Sequence, residues 1–272
     1  MISYGFSTIG CPDYDIPQVI DLAAANGFPG IEIRFLRGTV DLLSLDEFSP
    51  AGLKQTRQRF DDAGIAVVGI NTGVRMVSLD PAVRETQLEA ARANLRIAEE
   101  LGARYLRLFG GPLPAEQDRE RTLDAVAQGL GQVADLTAAS GVESLIETHD
   151  SFCRADTVLD LYRRGASDKL GVLWDTLHSY RHGETGEESW SKLGPRIKLV
   201  HVKDANVATP EKFDFALTGE GKVPVAGFLD LLEAEGYDGY VNFEWEKGWH
   251  PEIAGPEVAM PHFARYVAAR KG

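Results

Sequence analysis

The sequence predicts a single (β/α)8 TIM barrel, on three observations. Short apolar runs alternate with helical patterns in eight successive units. Four runs in the second half end on carboxylates or imidazoles, and such barrels place their chemistry at the C-terminal ends of the strands. An open doubly wound sheet is the alternative, but no Gly-rich dinucleotide fingerprint follows an early strand and no Walker sequence occurs. A barrel of this kind needs about 250 residues. With 272 residues and no Pro/Ser-rich linker, positions 1–272 are expected to form one domain.

Ile2 to Ser7 reads as the first strand, followed by a helix from Asp15 to Asn26 with Ile16, Val19, Ile20 and Ala23 at helical spacing and Gly27 as its stop. Gly30 to Arg34 is the second strand; Ser49 caps the next helix, with Pro50 at its first position and its end at Ala63-Gly64. Ile65 to Asn71 is continuously apolar, as in a parallel strand covered on both faces. A helix from Asp80-Pro81 to Leu101 shows Leu88, Ala91, Leu95 and Ala98 on its core side. Tyr105 to Phe109 is the fourth strand, followed by a helix from Asp118 to Ser140. The remaining strands are Glu143 to Glu147, Leu170 to Trp174, Ile197 to Val202 and Tyr240 to Glu244. Helices are expected at Asp156 to Arg163, Glu187 to Leu193, Val225 to Glu235 and Val258 to Ala269.

The 28 Lys and Arg against 41 Asp and Glu give a net charge of −13, which opposes partners held through phosphates, so no nucleic acid is expected. Cys11 and Cys153 are too few for a disulfide framework and lack metal-ligand spacing. The N-terminus shows no basic region before an apolar core, and no run could span a bilayer. A cytoplasmic protein with reduced thiols is expected, without a membrane partner.

Glu147 and His149 lie two residues apart in Ile146-Glu147-Thr148-His149-Asp150, so on a strand they share a face. Asp175 ends Val172-Leu173-Trp174-Asp175, His201 ends Lys198-Leu199-Val200-His201, and Glu244 ends Val241-Asn242-Phe243-Glu244. Glu147, Asp175, His201 and Glu244 read together as one metal site. Three carboxylates and one imidazole form a hard, oxygen-rich set that suits Mn2+, with Co2+, Mg2+ or Zn2+ as alternatives.

These phrases, with Ile31-Glu32-Ile33-Arg34, Trp174-Asp175-Thr176-Leu177-His178, His201-Val202-Lys203-Asp204 and the stretch from Gly239 to Glu244, resemble the xylose isomerase-like TIM barrel superfamily over essentially the whole chain. The group includes sugar phosphate isomerases and epimerases. The resemblance to its ketose 3-epimerases implies that Glu147, Asp175, His201 and Glu244 bind one divalent ion and that Glu147 and Glu244 are the catalytic acid/base pair. It also implies that His178, three residues beyond Asp175, contacts a substrate oxygen. Those epimerases carry an arginine shortly after the histidine ligand, whereas this chain has Lys203, Asp204, Ala205, Asn206 and Val207.

Such a site would support proton abstraction next to a carbonyl, through an enediolate stabilised by the ion. Return of the proton to the opposite face is epimerisation, and return to the neighbouring carbon is isomerisation. Loss of a β leaving group is dehydratase or lyase chemistry on a keto-sugar, keto-inositol or 3-keto-glycoside. A metal-dependent sugar isomerase or epimerase is the leading expectation, with a small sugar or keto-sugar as partner and, at most, further copies of the chain. A repair endonuclease of the superfamily would draw on more than the six histidines present, and a non-catalytic sugar-binding barrel would not need two acid/base carboxylates.

Further substrate contacts are expected from His149, Glu246, Arg107 and Trp249. Glu32 and Arg34 share a face that either reaches the barrel mouth or forms an internal ion pair. Lys203 either neutralises an enediolate or pairs with Asp204, the pairing being preferred; Asp150 is expected to cap a helix or loop. Trp245 and His250 either stack on a sugar or close the barrel, and Gly219-Glu220-Gly221 reads as a turn.

Overall fold

The start and stop signals of the sequence become helix caps in the structure, a computed structural model that describes residues 1–270. Helices α1 (Ile16–Ala25), α2 (Pro50–Ala63) and α3 (Pro81–Leu101) are capped by the side chains of Asp15, Ser49 and Asp80. Each such cap stabilises its helix by about 1 kcal/mol. Gly64 and Gly102 end α2 and α3 in the left-handed region, at φ 65° and 67°. The remaining helices are α4 (Arg119–Thr137), α5 (Ala155–Arg163), α6 (Thr176–Arg181), α7 (Gly186–Leu193), α8 (Val225–Ala234) and α9 (Pro256–Ala269).

The strands are β1 (Ser3–Ser7), β2 (Gly30–Ile33), β3 (Ala66–Arg75), β4 (Tyr105–Phe109), β5 (Glu143–Glu147), β6 (Gly171–Asp175), β7 (Ile197–Val202), β8 (Asp204–Ala208), β9 (Phe213–Ala216) and β10 (Tyr240–Phe243). All except β8 and β9 form one closed barrel, in which β1 pairs in parallel with both β2 and β10. The expected (β/α)8 architecture is therefore the observed one. Among the described residues, no helix is long and apolar enough to cross a membrane.

Two elements depart from the sequence reading. The short helix α6 follows directly from β6, because Asp175 ends the strand and accepts the His178 amide at 3.0 Å. Six residues are too few to show helical periodicity. The antiparallel hairpin β8–β9 lies outside the barrel; its segments Asp-Ala-Asn-Val-Ala and Phe-Asp-Phe-Ala lack the apolar runs that mark the barrel strands. β3 also runs past Asn71 to Arg75, which brings that arginine to the mouth.

The barrel interior is tiered. Val68, Tyr105, Leu145, Leu173 and Leu199, packed with Tyr240, form an apolar layer separate from the main core between strands and helices. Two residues further along their strands, on the same inward face, stand Arg107, Glu147, Asp175, His201 and Asn242. Lys203 and Glu244 follow after two more. The strands crowd closely at β1, where a Cβ on Gly5 would fall 2.4 Å from both the Gly30 oxygen and Asn242 Oδ1.

Cys11 and Cys153 are free and buried. Burial pushes both thiols up, that of Cys153 to about 12. A disulfide-exchange reagent at neutral pH is expected to leave the native protein unlabelled and to titrate both thiols after denaturation. Rapid labelling of the native chain would contradict this packing.

Candidate active site

The four residues read as a metal site converge. One ligand atom from each of Glu147, Asp175, His201 and Glu244 can be chosen so that all lie within 4.8 Å of one another. All four residues are buried. The register places Asp175 directly beside His201 across β6 and β7, and β10 continues into Glu244 from the strand beside β7.

Each side chain is held by a partner on its far side. Glu147 Oε2 accepts from Arg107 Nη1 at 2.9 Å. His201 Nε2 lies 2.7 Å from Glu32 Oε2, which also accepts from Asn242 Nδ2 at 2.6 Å. Since a carboxylate only accepts, this contact puts a proton on Nε2 and leaves Nδ1 as the nitrogen facing the site. Nδ1 has no hydrogen-bond partner and lies 3.3 Å from Glu244 Oε1. Lys203 is fully buried with its ammonium against Glu244, 2.5 Å from Glu246 Oε1 and 2.8 Å from Asp175 Oδ2.

Burial raises the Glu147 carboxyl above its ordinary range, Arg107 offsetting part of the effect and Glu244 adding to it. Burial would raise Glu244 as well, but Lys203 and His201 outweigh it and hold that group well below the carboxylate range. Similar carboxyls in one cleft are thus pushed apart, the pattern of an acid/base pair. Burial alone would lower His201; Glu32 and Glu244 raise it well above an ordinary imidazole.

A divalent cation fits this arrangement on the chain's own chemistry. His201 Nδ1 is buried without a hydrogen-bond partner, Asp175 Oδ2 has the Lys203 ammonium beside it, and three carboxylates with one imidazole supply hard donors. An ion there would give the buried imidazole nitrogen the partner it lacks.

Above the four residues opens a cavity of about 250 Å3, whose walls include Arg34, Arg107, His149, Glu246 and Trp249. A larger groove of about 380 Å3 near Tyr180, Gly186 and Phe228 contains no comparable set of convergent polar groups. His149 packs between Phe109 and His178, with ring centroids 4.7 and 4.4 Å away. Burial lowers its pKa, but Asp150, 3.2 Å from Nδ1, and Glu147 raise it overall. His178 is buried, its Nε2 lacks a hydrogen bond, and burial, Lys203 and His149 hold it well below the ordinary imidazole value. Glu147, His149 and His178 form a second convergent group.

Three expectations are corrected. Glu32 neither lines the cavity nor pairs with Arg34; it lies one tier lower, bound to His201 and Asn242. Lys203 does not pair with Asp204, because alternation turns neighbouring side chains to opposite faces. Asp204 instead accepts the backbone amides of Ala205, Gly219, Gly221 and Val223, so the Gly219-Glu220-Gly221 turn wraps the chain's own carboxylate. Asp150 is the first residue of a short 3-10 turn rather than its cap, with φ 51°. His250 packs against Phe213 and Phe215, and Trp245 donates to the Ala254 carbonyl and stacks on Phe243, so neither lines the cavity. Asn242, Arg75 and Phe109 were missed, although inward strand parity marks Asn242 and Phe109.

The sequence profile of the xylose isomerase-like TIM barrel family matches residues 20–265. The chain belongs to this family. Among curated relatives, a candidate L-ribulose-5-phosphate 3-epimerase of Escherichia coli strain K12 is 26% identical over 95% of this chain and 92% of its own. The inosose dehydratase of Yersinia enterocolitica is 27% identical, over 54% of this chain and 55% of its own. Among solved structures of the same barrel fold, the IOLI protein with a bound zinc atom superposes with TM-score 0.81 at 17% identity, covering 99% of this chain and 97% of that one. The xylose isomerase-like relatives are thus enzymes with both isomerising and dehydrating activities among them.

Proposed function

We propose that the chain is a divalent-metal-dependent sugar isomerase or epimerase that abstracts a proton next to a carbonyl. The observation that carries this reading is the convergence of two glutamates of opposed electrostatic environment, Glu147 and Glu244, with Asp175 and His201 beneath one small cavity. Glu147, Asp175, His201 and Glu244 would hold the ion. When bound, such an ion acts as a Lewis acid toward a carbonyl and its neighbouring hydroxyl.

The rest falls to the chain. Glu147 and Glu244 would form the acid/base pair: Glu244 stays ionised beside Lys203 and His201, and Glu147, raised by burial, holds a proton more readily. Arg107 and Lys203 keep each glutamate in place from behind. His178, neutral in its buried position, can accept a hydrogen bond from a substrate hydroxyl. Trp249, half exposed at the rim, offers a flat face to a sugar ring.

Dehydration of a keto-sugar or keto-inositol is the second reading, and His149 favours it. Its raised pKa and place on the cavity wall equip it to protonate a departing hydroxyl. Candidate keto-sugars incubated in D2O separate the two: deuterium at the inverted carbon marks epimerisation, whereas loss of water marks the dehydratase.

The purified protein is expected to contain about one divalent ion per chain, to lose activity to a chelator, and to regain it with Mn2+ or Co2+ better than with Ca2+. Elemental analysis alongside the activity assay checks this. A metal-free preparation with full activity would remove the proposal.

A further inference from the structure

The cavity has two unlike sides. Asp175, Glu244 and Glu246 gather around Lys203, whereas Arg34 follows β2, Arg75 ends β3 and Arg107 stands within β4 beside Glu147. Three guanidinium groups on one small cavity run against the net charge of −13. Among the described residues, only one of them has a close ionic partner, Arg107 bonding Glu147 at 2.9 Å.

Arg34 is the telling case. Among the described residues no carboxylate lies within ion-pair distance of it, and its hydrogen-bond partner is the Asn71 carbonyl, 3.3 Å from Nη1. It packs 5.8 Å from the centre of the Trp249 ring. Burial, followed by the repulsion of Arg107, lowers its pKa to about 9. A half-buried cation with so little compensation is unfavourable unless a ligand supplies the missing charge. Arg75 reaches the same cavity from the end of β3, 5.4 Å above the Phe109 ring. Its one nearby carboxylate, Asp150, is 3.9 Å away, beyond hydrogen-bond distance.

We propose that the substrate carries an oxyanion, a carboxylate or a phosphate, and that Arg34 and Arg75 hold it at the mouth of the cavity. The inference rests on the same cavity being the active site. It also fixes orientation: the carbonyl end faces Glu147 and Glu244, and the anionic end is turned outward to Arg34 and Arg75. Guanidinium groups suit either oxyanion because their planar N–H pairs match two oxygens at once. The cavity of about 250 Å3 limits the substrate to roughly one monosaccharide unit.

The test uses three probes that differ only at C6 of one ketose: D-fructose, D-fructose 6-phosphate and D-fructuronate. Their dissociation constants are measured by calorimetry on the metal-loaded protein and on Arg34→Gln and Arg75→Gln. At least one anionic probe is expected to bind about tenfold or more tightly than fructose, an advantage of the size that charge-assisted pairs supply. Which anion binds identifies the group. Each variant should cut that advantage to about threefold or less, and added salt should weaken it. The half-exposed Arg75 side chain makes its variant the safeguard should Arg34→Gln fail to fold. No anionic preference, absence of binding by all three probes, or a preference that survives both substitutions would overturn the proposal. Metal content on the same samples separates the readings. An anionic preference without bound metal retains the clamp and removes the metal mechanism, whereas loss of metal in the arginine variants would make these residues supports of the metal site and overturn the clamp.

Discussion

Replacing either Glu147 or Glu244 by Gln is expected to lower turnover by about 10²- to 10⁴-fold, the range attached to a positioned acid or base. The substitution keeps the size of the side chain and one carbonyl oxygen, so Arg107 and Lys203 retain an acceptor at each position. It removes the charge that accepts the proton. Following a keto-sugar in D2O by NMR reads the step directly, since deuterium at the carbon next to the carbonyl should vanish with the activity. Because both residues belong to the expected ligand set, ion content must be measured on the same samples and activity compared at full loading. Undiminished exchange in both fully loaded variants would transfer the proton to another group, with His149 and Glu246 the next positions to test.

The second large effect is expected at a residue outside the cavity. Glu32→Ala should weaken divalent-ion affinity by about 10- to 100-fold, the usual consequence of removing the partner that orients a histidine ligand. In the native arrangement Glu32 holds His201 Nε2 at 2.7 Å, and its loss would leave both that nitrogen and Asn242 Nδ2 without their shared acceptor. Glu32→Gln should fall between the two proteins, because its amide oxygen can accept but carries no charge. Calorimetric titration with Mn2+ checks the order. Equal affinity in all three proteins would show that packing alone fixes the imidazole. Circular dichroism distinguishes a loosened site from an unfolded barrel.

Glu32 also shows where reading the sequence stops. Alternation along Ile31-Glu32-Ile33-Arg34 correctly gives the two charged residues one face. It does not give their depth, because height inside a barrel depends on the stagger of neighbouring strands, including the register shift between Ile31 and Glu32. Arg34 therefore reaches the mouth while Glu32 lies beneath His201. The convergence of Glu147, Asp175, His201 and Glu244 was legible because each ends an apolar run at the same end of its strand. Lys203 was legible in principle, since it shares the parity of His201, but its adjacency to Asp204 suggested the simpler surface pair. Arg75 lay beyond the apolar run that marks β3, where Thr72, Gly73 and Val74 extend the strand without a clear pattern.

The apolar layer of Val68, Tyr105, Leu145, Leu173 and Leu199, with Tyr240 packed against it, has a kinetic consequence. Among the described residues it fills the barrel below the polar tier, so an ion and a substrate would both enter through the cavity at the top. Anything seated at Asp175 and His201 lies under whatever fills the cavity above. On the proposed function, assembly would have an obligatory sequence, ion before sugar, and disassembly would run in reverse: a saturating substrate would trap the ion, and the rate of ion escape would become a clock for how often the cavity empties.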